Sequence, residues 1–256
     1  MSITLHAVNG LTIAAESRGQ GRPVLLLHGW GLQLENMQSV ADRLAPLGYN
    51  VHAIDLPGFG RSTLPADVWG VPEYARLVAA YIEKAGLKPV SLIGHSFGGR
   101  ISIVLGADYG DLVDKIVLTN SAGVLTPPTR SQQVRQTAFR AVGTALTLPG
   151  LRSYEERFRR WGRNRYGSAD LKAAGPLEPI FRKVIQQDLL PYAKRIRAST
   201  LLIWGDQDQE TPLWQGQALE KAIPDAGLVV LQGAGHFAFQ ERLTDFVRIV
   251  DTFLKG

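Results

Sequence analysis

Apolar residues recur along the chain in short uninterrupted runs: Val24 to Leu27, Val51 to Ile54, Val90 to Ile93, Ile116 to Thr119, Leu201 to Trp204 and Leu228 to Leu231. Runs of this length, rich in Val, Ile and Leu, suit strands buried on both faces. Between most of them the apolar positions repeat at helical spacing, as in Val40, Leu44 and Leu47, or Tyr74, Leu77, Val78, Tyr81 and Ile82. Ahead of them, Ile3 to Val8 and Leu11 to Ala14 flank Asn9-Gly10, a pair that accepts the positive φ of a tight hairpin turn. The pattern predicts an α/β fold, a mostly parallel eight-stranded sheet with helices on both faces.

The alternation fails once, from about Thr126 to Arg195. That segment has Pro127-Pro128, further Gly and Pro punctuation, the basic helical-looking stretch Tyr154 to Trp161, and no strand-like run. A structureless loop of that length is improbable in a compact domain, so residues 126–195 are read as an inserted helical cap on a core made of 1–125 and 196–256. Pocket walls are mostly apolar, which makes Phe139, Leu146, Leu148, Phe158, Trp161 and Phe181 the candidates for its inner face.

The 256 residues can bury one sizeable core. The net charge of +5 is uneven: from Thr126 to Arg197 there are 15 Lys or Arg against 5 Asp or Glu. Without a nucleic-acid motif beside it, this excess reads as a solvated helical face. The absence of cysteine excludes disulfides, thiolate metal sites and cysteine nucleophiles, and suits a reducing compartment. No stretch approaches the roughly 18 apolar residues of a membrane span, and Met1 to Leu5 lacks the basic and apolar regions of a signal peptide. The expectation is a cytoplasmic protein, monomer or homodimer, acting on a small molecule without nucleic acid or membrane. No pair of histidines has metal-ligand spacing, and Gly58-Phe59-Gly60 has Thr63 where a third phosphate-loop glycine would fall, so neither metal nor cofactor is expected.

Chemistry concentrates at Gly94-His95-Ser96-Phe97-Gly98-Gly99, between the run Val90 to Ile93 and the helical Ile101 to Leu105. Gly-x-Ser-x-Gly between strand and helix holds a serine in a sharp turn with Oγ exposed above the sheet. The residues two places either side must be small, and Gly94 and Gly98 are. The helix N-terminus favours negative charge developing there. A serine hydroxyl needs a base and the base needs an orienting group. His6 and His52 lie in strand-like runs, His95 adjoins the serine, and His28 sits in an early loop; His236, in the loop after the last strand, is the candidate base. Trp204 to Pro212 offers Asp206, Asp208 and Glu210 as the third group, in the order Ser, acid, His.

Taken together these motifs resemble the α/β-hydrolase family over the whole chain. Its acid commonly lies in Trp-Gly-x-x-Asp-x-x-x-Pro, which laid over Trp204 to Pro212 implies Asp208 and leaves Asp206 and Glu210 as turn or surface residues. The alternative acid position of some members is filled by Asn120, which cannot serve. Leu27-His28-Gly29-Trp30-Gly31 is similar to the family's oxyanion loop, and Asp55 to Ser62 to a stretch of its classical members. The resemblance implies an oxyanion hole from the backbone N–H groups of Trp30 and Phe97, and a serine hydrolase, read first as a carboxylesterase, with lactonase, thioesterase, C–C bond hydrolase, aminopeptidase and cofactor-free haloperoxidase or perhydrolase activities open on the same three groups. A proline common after the family's histidine loop is absent at Glu241-Arg242-Leu243, which touches helix initiation and not chemistry. A non-catalytic receptor on the same fold is the reading of another class.

Overall fold

The computed structural model describes residues 3–125 and 174–256, with scattered positions between them, 130, 137, 138, 142, 144, 146, 154, 157, 158, 171 and 173. The hairpin is β1 (Thr4–Val8) and β2 (Leu11–Arg18), turning through Asn9 at φ 47° and Gly10 at φ 82°. Six more strands follow: β3 (Arg22–Leu27), β4 (Tyr49–Ile54), β5 (Val90–His95), β6 (Val113–Thr119), β7 (Thr200–Gly205) and β8 (Ala226–Leu231). The sheet runs β1-β2-β4-β3-β5-β6-β7-β8. The pairs β1/β2 and β2/β4 are antiparallel and the remainder parallel, as the apolar runs predict.

Helices cover both faces because the central strands, β5 and β7 among them, carry buried side chains on both sides. On one face α2 (Val71–Lys84), α3 (Phe97–Asp108) and the helix Leu213–Ala222 bury Tyr74, Ile82, Val104 and Leu219. On the other, α1 (Gln38–Leu44) and the helices Ala238–Glu241 and Leu243–Lys255 bury Leu44, Phe239, Phe246 and Val250. In the segment read as a cap, residues from 174 onward form a 3₁₀ turn at Gly175–Leu177 and helices Glu178–Ile185 and Leu190–Ala193. Most of 126–173 lies outside the described residues, including the candidates Phe139, Leu148 and Trp161. The parallel order sends the C-terminal ends of β3, β5, β7 and β8 to one edge of the sheet, where their loops meet.

Candidate active site

Ser96 is the single residue between β5 and α3, with φ 49° and ψ −104°. A non-glycine residue with positive φ is strained and persists only where its surroundings fix it. Here Ser96 N–H donates to Thr119 O at 3.3 Å, and Ser96 O accepts from Arg100 and Ala122 N–H, both at 3.2 Å. The predicted need for small neighbours is met tightly. A Cβ on Gly94 would lie 2.6 Å from Gly98 O, and one on Gly98 would lie 2.1 Å from Leu27 O.

In the loop after β7, Asp208 is buried. Its Oδ1 accepts from Glu210 N–H at 2.8 Å and Thr211 N–H at 3.0 Å. Its Oδ2 accepts from Asn120 Nδ2 at 2.6 Å, His236 Nδ1 at 2.9 Å and Thr211 Oγ1 at 2.7 Å. Burial pushes this carboxyl up, but the bonds from His236, Thr211 and Asn120 outweigh it and bring it down to about 2. An ionised carboxylate only accepts, so His236 Nδ1 is the donor in its bond to Asp208 Oδ2. The His236 loop is stitched to the Asp208 loop: Gln207 N–H bonds Ala234 O at 2.9 Å, and Gly233 N–H bonds Asp206 Oδ1 at 2.7 Å.

Ser96 and His236 border one cavity of about 460 Å³. Among the described residues no hydrogen bond joins them, and His236 Nε2 lies 3.8 Å from Oε2 of Glu210, itself mostly exposed. Such bonds are often loose before substrate binds. Trp30 and Phe97 also border the cavity, and their backbone N–H groups bond no described residue. The loop bearing Trp30 is fixed from below by His28. Leu56 N–H donates to His28 Nε2 at 2.9 Å, so Nδ1 holds the proton and donates to Gly29 O at 2.7 Å. Burial pulls His28 down to about 4 and keeps it neutral. The Asp55 to Ser62 stretch serves the same loop: buried Asp55 accepts from Leu34 and Arg61 N–H, each at 2.8 Å. Phe59 meets the Trp30 ring at 5.0 Å, and Phe181, a predicted inner-face residue, meets it at 4.9 Å and lines the cavity.

Sequence reasoning placed these residues but missed others. Glu210, read as turn or surface, is exposed yet borders the cavity beside His236. Asn120, set aside as unable to be the acid, donates from Nδ2 to Asp208 Oδ2 and holds that carboxylate in place. Thr211 does likewise, three residues beyond Asp208 within the quoted stretch, a spacing that could have signalled it. His95, set aside for its place in the turn, is not among the described residues lining the cavity and packs its buried ring 4.8 Å from that of His236. Arg100, unremarked just ahead of the predicted helical run, lines the cavity one turn beyond Ser96, the i+4 position that shares its helix face. No group of potential metal ligands occurs among the described residues.

A profile of the alpha/beta hydrolase fold family matches residues 22–243. The chain is 29% identical to a pimeloyl-acyl-carrier protein methyl ester esterase of Chromobacterium violaceum, across 96% of this chain and 99% of that protein. It is 27% identical to a 2-hydroxy-6-oxononadienedioate/2-hydroxy-6-oxononatrienedioate hydrolase of a Pseudomonas species, across 99% and 95%. Among solved structures, the bromoperoxidase of Bacillus anthracis superposes with a TM-score of 0.78 at 21% identity, covering all of both chains.

Proposed function

Because the chain belongs to the alpha/beta hydrolase fold family, we propose that it is a serine hydrolase that cleaves a small-molecule ester through an acyl-enzyme, with Ser96 as nucleophile, His236 as base and Asp208 as orienting acid. One observation carries the reading: a serine strained to φ 49° opens into the same cavity as an imidazole whose Nδ1–H is held 2.9 Å from a buried carboxylate. That arrangement leaves Nε2 free to take the Ser96 proton.

In this reading Ser96 Oγ attacks the ester carbonyl as its proton moves to His236 Nε2. The carbonyl oxygen becomes an oxyanion held by the N–H groups of Trp30 and Phe97, at the N-terminus of the 12-residue helix α3. The imidazolium, stabilised by ionised Asp208, protonates the alcohol as the C–O bond breaks. Water then donates a proton to His236, attacks the acyl carbon, and Ser96 leaves with that proton. No metal or cofactor enters the balance. The methyl ester esterase of Chromobacterium violaceum among the relatives supports the ester reading. The reading of residues 126–195 as a cap is supported by Phe181, which lines the cavity.

A fluorophosphonate probe tests the nucleophile: one adduct, placed on Ser96 by mass spectrometry and lost in Ser96→Ala. Labelling that survives the substitution removes Ser96 from the role. Turnover of a panel of p-nitrophenyl esters, lactones and thioesters sets the bond class, and no turnover of any of them rejects the hydrolase in favour of a receptor.

A further inference from the structure

Arg100 is a buried cation without a counter-ion among the described residues. The residue is only 7% exposed, and it forms no ion pair with any of them. Its Nη1 donates to Val184 O and Gln187 O, each at 3.1 Å, at the end of the helix Glu178–Ile185. Those acceptors are neutral carbonyls, and a helix C-terminus amounts to roughly half a negative charge. Burial pulls the guanidinium down to about 10, with Asp188 opposing from a distance. Asp188 is exposed, and its Oδ1 accepts from Leu190 N–H at 3.3 Å. A buried charge is costly unless it is paired, and the described residues supply no pair.

What Arg100 does border is the cavity. Arg100 lines it, and its Nε and Nη2 donors bond no described residue. Arginine presents those donors as a fork that matches a carboxylate. The other charged residue on the described wall is Glu210, beside His236 Nε2. The leaving alcohol must sit by that nitrogen to receive its proton, so an anion is disfavoured on the leaving-group side and favoured on the Arg100 side. The walls between are apolar, from Trp30, Phe97, Phe181 and Val184.

We propose that Arg100 is a specificity residue that binds a carboxylate on the acyl part of the substrate, making half-esters of dicarboxylic acids the preferred substrate class. The assignment rests on the ester-hydrolase reading for its chemistry, but not for its binding. The rival role for Arg100 is a strut between α3 and the helix Glu178–Ile185.

The test compares monomethyl succinate, glutarate and adipate with the neutral methyl esters of equal chain length, on the full chain and on Arg100→Gln and Arg100→Lys. The wild type should prefer a half-ester at one of these lengths. Arg100→Gln should raise KM for that half-ester on the order of 10- to 100-fold, consistent with loss of a charge-assisted hydrogen bond. The kcat on the half-ester and the kcat/KM on the neutral ester should both change less than about threefold. Arg100→Lys should fall between. A second readout needs no turnover: free glutarate or adipate should raise the Tm of Ser96→Ala and not that of Ser96→Ala with Arg100→Gln. Stabilisation by dicarboxylates without hydrolysis of any ester sinks the hydrolase reading and keeps the Arg100 site. A wild type that favours neutral esters at every length overturns the proposal, even if Arg100→Gln does not fold. Equal losses on charged and neutral esters overturn it as well, and leave the strut.

Discussion

Asp208 accepts five hydrogen bonds on two oxygens, one from His236 and four that fix the carboxylate against it. Asp208→Asn keeps the shape but can turn an amide N–H toward Nδ1, reversing the imidazole tautomer. It should lower kcat by a factor on the order of 10³ to 10⁴. Asp206→Asn retains an acceptor for Gly233 N–H and should do far less; steady-state kinetics of the two variants decide the acid, and a larger loss from Asp206→Asn reverses the assignment. Thr211→Val removes one bond to the carboxylate while two backbone donors remain on Oδ1. Hydrogen bonds to charged groups are worth about 1.5 to 3 kcal/mol, so a fall in kcat on the order of 10-fold is expected, with KM little changed. A KM effect of equal size would put Thr211 among the substrate contacts instead.

The turn from β5 to α3 is the element on which the site depends, and its glycines have little room to change. Gly98→Ala would drive a Cβ to 2.1 Å from Leu27 O in the adjacent strand, backbone that cannot yield cheaply. Gly110, beyond the far end of α3, has nothing within 4 Å of a new Cβ. Urea denaturation should therefore show Gly98→Ala losing at least about 1 to 3 kcal/mol, and Gly110→Ala within about 0.5 kcal/mol of the parent. This contrast also marks what was legible in the sequence. Gly94, Ser96 and Gly98 were readable because strand, turn and helix are local patterns, and Asp208 and His236 because each follows an apolar run in the family's order. Asn120 was not, because its partners Asp208 and Gly235 lie 88 and 115 residues away, and only the ordering of β6 beside β7 brings them together. Arg100 was hidden because a charged residue in a helix is ordinarily solvated, and nothing local announces that a later helix covers it.

Across the whole molecule, buried histidines set the acid side of stability. Burial pulls His28 from 6.5 to about 4, and burial together with the neighbouring His236 pulls His95 to about 3. Below pH 6.5 the unfolded chain takes up protons that the folded protein refuses, so stability falls with pH from there to the folded values. At pH 5 the loss is about 2 kcal/mol per histidine, at about 1.4 kcal/mol per pH unit. Asp208, lowered from 3.8 to about 2, adds to the loss only below about pH 4. Urea midpoints at pH 7 and pH 5 measure this, and equal midpoints would show that these rings accept protons in place. Replacing residues 126–173 by a short Gly/Ser linker tests the cap: selectivity among acyl chains should flatten, and an unchanged preference would free the cap from that role. The sheet order has a further consequence, for how the enzyme is lost. His236 hangs from β8, which ends the sheet and is mostly only half-buried along its length, whereas Ser96 follows β5, buried throughout. Edges open at lower free energy than centres. In rising denaturant, hydrolysis should disappear before circular dichroism changes, and a bound transition-state analogue should close the gap by holding the outermost strand to the rest.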